Sequence, residues 1–340
     1  MKLKIILFIT CWGLLLLLSL QAEKVAVFEE FHQPGGINIG NGCIYIQEKT
    51  TVFIYNLEDY KFVNKFGKEG EGPGELKINP FWFPMIVFPA NNKVYISSLA
   101  KLAIFSKTGE YINEYKVNPT DVYWPFGEKY ICLTTTPIQE NSQKIVLAFF
   151  LANENFKKVK VIYKTDFELN QNSKIEFPIT PFELSIDKDK LYVTAGIHGF
   201  AIDAFDQKGE KMYRIKKDYK RLKIPSSYKE KTLQWFQKDP HFKHLNELQS
   251  RIGFKDYYPP IHSMIANYGK LYVMTNKIEK DQRECIVMDL QGNEIKRIYL
   301  PIPEQYGLDS NVYFTIRDNY FYKLEENMNN ENWELYRIKI

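Results

Sequence analysis

Five histidines are spread along the chain, and three of them, His32, His198 and His262, fall by strand order toward one face of a β-rich protein. Neutral imidazoles that converge from separate elements bind zinc and leave a position open for water. No His-x-His or glutamate-pair spacing fixes such a geometry here. The three are therefore expected as binding residues on a rim, with no metal and no cofactor. His241 and His244 stand three apart in a stretch with helical periodicity and share a face there. No third ligand accompanies them, so a solvated helix face is expected. The sequence has no Gly-x-Ser-x-Gly elbow, the mark of one large class of serine hydrolases. Acidic side chains gather at turns such as Glu58-Asp59 and Asp187-Lys188-Asp189, where they read as turn formers before acid–base pairs. No catalytic residue is assigned on these grounds.

Two further segments have the composition of ligand sites. The run Lys65-Phe66-Gly67-Lys68-Glu69-Gly70-Glu71-Gly72-Pro73-Gly74-Glu75-Leu76 is glycine-rich, as phosphate loops are. A phosphate loop leads into a helix whose N-terminus meets the anion. This run carries Glu69, Glu71 and Glu75 and leads toward Pro80 and another strand, so a structural turn is expected. The densest basic run, Lys216 to Lys223, reads as a strand end and solvated loop.

The elements that must position these residues follow a repeat. A short apolar-Tyr-apolar strand recurs as Cys43-Ile44-Tyr45-Ile46, Val94-Tyr95-Ile96, Tyr130-Ile131-Cys132, Leu191-Tyr192-Val193, Leu271-Tyr272-Val273 and Tyr320-Phe321-Tyr322. Behind it comes a strand–turn–strand unit starting at Val52, Leu102, Ala201 and Cys285, with a looser copy starting at Val159. Thr108-Gly109, Lys208-Gly209 and Gln291-Gly292 place glycine where a hairpin needs positive φ. An innermost strand precedes each unit: Gly36–Ile39, Trp82–Val87, Asp121–Trp124, Phe182–Ile186, Ile261–Ile265 and Val312–Ile316. Blocks of about 40–50 residues with four strands each predict an all-β, six-bladed β-propeller. The last block stops one strand short, and Lys24–Phe31 is a strand without a partner. Pairing it beside Trp333–Ile340 would complete the sixth blade and leave no open sheet edge.

One helical insertion, residues 226–253, interrupts the pattern between blades four and five. Ser227-Tyr228-Lys229-Glu230 has the form of a capping box, predicting a helix from Tyr228 toward Gln237. Asp239-Pro240 breaks it, and a second helix is expected from about His241 to Arg251, ended by Gly253. The insertion should lie over or beside a channel mouth as a cap, a lid or a docking surface, with Trp235 and Phe236 as candidate binding anchors.

The Phe-Gly, Gly-x-Gly-Pro-Gly-Glu connection of residues 65–76 resembles the blade-to-blade link of NHL-type six-bladed propellers, especially exported bacterial ones of undefined function. That resemblance implies the same fold. It also raises a second reading, because some members are enzymes with a metal held by histidines of several blades: a metal-dependent lyase or hydrolase with a site at the channel mouth.

The remaining features concern location. Lys2 and Lys4 precede an apolar run, Ile5 to Leu20, and Ala22 stands before the charged start at Glu23. Residues 1–22 read as a signal peptide and 23–340 as the propeller, with no membrane span after cleavage and a periplasmic or secreted destination. Cys43, Cys132 and Cys285 are an odd, widely spaced set in apolar strands, so buried free thiols are expected. A net charge of +4 over 45 basic and 41 acidic residues gives no nucleic-acid footprint. The first expectation for function is a monomeric binding or scaffold protein at the cell envelope, with a protein or glycan partner.

Overall fold

A computed structural model describes residues 22–78, 85–137, 144–168, 174–179, 183–194, 199–239, 250–308 and 313–340. Six antiparallel four-stranded sheets follow one another along the chain. The first blade holds Gly36–Gly40, Cys43–Glu48, Thr51–Asn56 and Phe62–Phe66. The second holds Ile86–Ala90, Lys93–Ser98, Lys101–Ser106 and Tyr111–Lys116. The third holds Asp121–Phe126, Lys129–Pro137, Lys144–Ala152 and Lys158–Glu168. The fourth holds Glu183–Asp187, Lys190–Thr194, Ala201–Phe205 and Lys211–Lys216. The fifth holds Ile261–Asn267, Lys270–Glu279, Gln282–Asp289 and Glu294–Leu300. The sixth holds Phe314–Arg317, Tyr320–Asn327 and Asn332–Lys339, completed by Glu23–Phe28.

The middle strands of each blade are buried at consecutive positions, as in Ile44-Tyr45-Ile46 and Ile286-Val287-Met288, because both faces of the sheet meet a neighbouring blade. Six apolar cores fill the six interfaces. Phe105 and Tyr45 share one between blades one and two, and Leu133 with Leu191 another between three and four. The ring closes through Phe28, Phe31, Tyr55 and Trp333, which join blade six to blade one. Glu23–Phe28 pairs antiparallel with the last strand, with Lys24 opposite Tyr336 and Phe28 opposite Trp333, as the unpartnered N-terminal strand implied. Cys43, Cys132 and Cys285 are buried and free, each in a different core. Burial pushes the thiols of Cys132 and Cys285 up to about 12.

The outer hairpins of blades one to five, and the hairpin between the second and third strands of blade six, use the same device. A side-chain oxygen of Asn56, Ser106, Asn153, Asp206, Asp289 or Asn327 accepts the backbone N–H two residues ahead. Gly109, Gly209 and Gly292 close three of these turns with φ of 90°, 70° and 93°. In blades one, three and six a non-glycine residue takes that conformation: Tyr60, Phe156 and Glu331, at 58°, 60° and 59°. This explains one misreading. The unit expected to start at Val159 is the single outer strand Lys158–Glu168, and the hairpin lies earlier, at Asn153–Lys157. The second blade's inner strand is also shifted, to Ile86–Ala90, and Trp82 lies outside the described residues.

The helix α1, Ser226–Lys238, follows blade four and precedes blade five, counting from Gly36. It starts earlier than the capping-box form implies: Pro225 is its N-cap, and no side chain caps it. Tyr228, Thr232 and Phe236, four apart, form its buried face against Phe177, Ile224 and Tyr258. Parallel pairing of Ile175–Phe177 with Ile252–Phe254 ties the insertion to the chain entering blade four. The expected second helix, including His241 and His244, falls mostly on 240–249, outside the described residues. No helix among the described residues is long and apolar enough to cross a membrane.

Candidate functional site

A cavity of about 440 Å³ opens beside α1. Its wall draws Glu183 from the inner strand of blade four, His262 and Met264 from that of blade five, and Phe314 from that of blade six. Arg283 enters from the third strand of blade five, Tyr228 from α1, and Tyr258, Glu304 and Gln305 from connections. Local irregularities aim two of these groups. The ladder shifts between Ile261 and Ser263, so His262 has no cross-strand partner. A second shift between Met274 and Ile278 frees Asn276 to reach Arg283.

Arg283 is 1% exposed, in a strand that otherwise packs apolar side chains. Its guanidinium donates to Thr275 O at 3.0 Å, Pro303 O at 3.0 Å and Asn276 Oδ1 at 3.3 Å. Its Nε has no partner, and no carboxylate among the described residues makes an ion pair with it. Burial lowers its pKa to about 10, against the opposing pull of Glu304. Glu304 accepts the hydroxyls of Tyr258 and Tyr306 at 2.7 and 2.8 Å. Burial, with the bond to Glu304, holds the Tyr258 phenol far above its ordinary range, and burial lifts Tyr228 to about 12.

His262 is enclosed, and its pKa falls to about 3, first through burial and then through the charge of Arg283. The neutral ring donates from Nε2 to Gln305 Oε1 at 3.2 Å and accepts the Ser263 hydroxyl at Nδ1, 3.0 Å away. Both ring nitrogens are thus engaged. Glu183 differs from the rest. It lines the cavity, partly exposed, with no hydrogen-bond or ion-pair partner among the described residues, and the protein around it lifts its pKa to about 7 by desolvation. A carboxyl with a raised pKa and no partner, in a cleft, is a candidate functional group.

Of the described residues expected from sequence, one lines this cavity. His262 is in the site. His32 is exposed and absent from the cavity wall; its backbone N–H binds Glu48 Oε1 at 2.7 Å. His198 lies outside the described residues. Among the described residues, no group of three His, Cys, Asp or Glu is placed to hold a metal. Phe236 is 1% exposed and stacks edge-on with Phe177 at 5.4 Å, so it anchors the helix to the protein itself. Trp235 is half-buried and lies over Gly307, whose missing Cβ would meet the indole at 2.2 Å. The missed residues are Glu183, Arg283 and Glu304. The adjacent charges of Arg283 and Glu284 inside Gln282–Asp289 were the available signal, since a buried strand has little room for a lone ion.

Two other sites have simpler accounts. The glycine run is a clamp: Lys101 Nζ donates to Gly72 O at 2.9 Å and Glu75 O at 3.0 Å, and Glu75 accepts Gly72 N–H at 2.9 Å. It is a turn, as expected. A second cavity of about 400 Å³ takes lining residues from all six blades, including Asn41, Pro89, Pro125, Asp187, Asn267 and Arg317, and marks the opposite end of the axis.

Residues 28–192 match the model of one family. Its description is 6-bladed beta-propeller. The match agrees with the six blades seen here. No curated protein is similar in sequence. Among solved structures, the Neurospora crassa Pan2 WD40 domain has a TM-score of 0.41 at 10% identity, covering 95% of this chain and 97% of that one. Kluyveromyces lactis Hsv2 has a TM-score of 0.39 at 12% identity, covering 90% and 97%. BamB from Moraxella catarrhalis has a TM-score of 0.32 at 10% identity, covering 89% and 71%. At such identities nothing passes from those proteins' functions to this propeller.

Proposed function

We propose that this propeller is an exported binding protein of the cell envelope, of the NHL-like kind, which takes its ligand into the cavity beside α1. The observation that carries the binding reading is Glu183. Glu183 is only partly exposed, lines the cavity and lacks a partner among the described residues, so a cation that entered and paired with it would offset the cost of enclosing its charge. The wall comes from three blades and the helix, which is the usual setting of a preformed small-ligand site. The basic and apolar leader of residues 2–20 supports export.

Native mass spectrometry of the protein purified from its own host tests the reading. A small molecule retained by the wild type and lost from a variant with the cavity filled, Ser263→Trp, is the expected result. Equal retention by both proteins, or a bare wild type, would refute it. Fractionation of the host tests the location separately, with the chain expected outside the cytoplasm.

A further inference from the structure

We infer that the cavity beside α1 binds an organic ammonium ion, with Glu183 as its counter-ion and Tyr228, Tyr258 and Phe314 as its aromatic surround. The inference rests on the cavity being the binding site and names the chemistry of what it takes.

Charge balance comes first. The charged groups of the described wall are Glu183, Glu304 and Arg283. The remaining candidate, His262, carries no charge there, since burial and Arg283 both disfavour its imidazolium. Two acids against one guanidinium leave the wall one positive charge short whenever Glu183 is ionised. Glu304 and Arg283 act on one another electrostatically, whereas burial alone perturbs Glu183, so the missing charge belongs at Glu183.

The surround then selects the kind of cation. A hard metal ion wants several oxygen ligands. Among the described residues no cluster supplies them. The wall instead offers aromatic rings, with Tyr228 and Tyr258 edge-to-face at 5.3 Å, and the thioether of Met264. Rings of this kind favour an organic cation through their negative faces, and a carboxylate beside them supplies the full charge. Free amines and the lysine side chain of a partner protein share this chemistry.

Titration calorimetry on the mature chain at pH 7 decides the matter. The probes are n-butylammonium, an N-acetyl-lysine methylamide, neutral butanol and anionic butyrate. n-Butylammonium should bind more tightly than butanol or butyrate. Its binding should weaken tenfold or more in Glu183→Gln and vanish in Ser263→Trp. Because Glu183 ionises near pH 7, the wild type should release about half a proton per cation bound, a readout that needs no variant. The lysine derivative binding as well as n-butylammonium would point to a partner's side chain, and its exclusion to a free amine. Either result supports the ammonium site. Preference for butanol or butyrate, lost in Ser263→Trp, would overturn the ammonium inference and leave the cavity as the binding site. Binding untouched by Ser263→Trp, or no binding by any probe, would overturn both.

Discussion

The closing strand can be tested at one ring. Phe28 is the last residue of Glu23–Phe28 and is 2% exposed. Its ring lies 5.4 Å from that of Phe31 and 4.5 Å from that of Tyr55, so it joins the strand completed at blade six to the side of blade one. Phe28→Ala removes a buried aromatic from a packed interface, which costs about 3–5 kcal/mol. The neighbours are Tyr55 of blade one and Phe31, which is itself packed on Phe53 of that blade; neither can collapse into the space without opening that core, so relaxation will recover little. Taking about 3 kcal/mol and a urea slope of about 3 kcal/mol per molar, the unfolding midpoint should fall by about 1 M. Val27, the preceding residue, is 46% exposed, and Val27→Ala should stay within about 0.5 kcal/mol of wild type. Urea unfolding followed by tryptophan fluorescence makes the comparison. Equal midpoints for the two variants would show that the N-terminal strand does not close the ring.

Other consequences follow from single contacts. Gly292 sits at φ +93°, and an added Cβ would meet Ile215 Cγ2 of the preceding blade at 2.5 Å. Gly292→Ala should lose about 2 kcal/mol or more, whereas Gly269→Ala, also at positive φ but with nothing within 4 Å, should lose about 1 kcal/mol, read from thermal midpoints. Lys101→Met should loosen the glycine clamp, and proteolysis within Gly70–Gly74 should accelerate while the blades stay intact. Glu183 has a folded pKa above its ordinary 4.5, so its contribution to stability is present below that value and is lost as pH rises through about 7. Glu183→Gln should therefore gain up to about 3 kcal/mol over wild type at pH 8 and nothing at pH 4, measured by urea unfolding at the two values.

The architecture was legible because it repeats. The Tyr-centred strands at Tyr45, Tyr95, Tyr192 and Tyr272 are each buried between two blades, and this requirement recurs once in each of those blades. Even the closing strand was legible, since Lys24–Phe31 reads as a strand with no partner of its own and the last block lacked one. Blade three was misplaced because Phe156, not glycine, takes its hairpin's positive φ. The helix start was misplaced because Ser227 has the composition of a cap, while Pro225 at ψ 157° already turns the chain. The cavity was far less legible. Glu183, Arg283 and Glu304 stand at 183, 283 and 304, on a strand start, a strand interior and a connection, and no local spacing links them. Only the ring, by setting blades four, five and six side by side, brings them to one wall. His262, expected as a binding residue on a rim, does line the cavity, where its neutral ring is engaged by Ser263 and Gln305.

The most direct measurement is a ¹³C NMR titration of the Glu183 side-chain carboxyl in the mature chain, without and with n-butylammonium. Ionisation near pH 7 in the free protein, moving to lower pH when the cation is added, is the predicted result. Ionisation near the ordinary 4.5 in both samples would contradict it, since the carboxyl would then be an ordinary solvated group and the cavity would hold nothing that calls for a ligand.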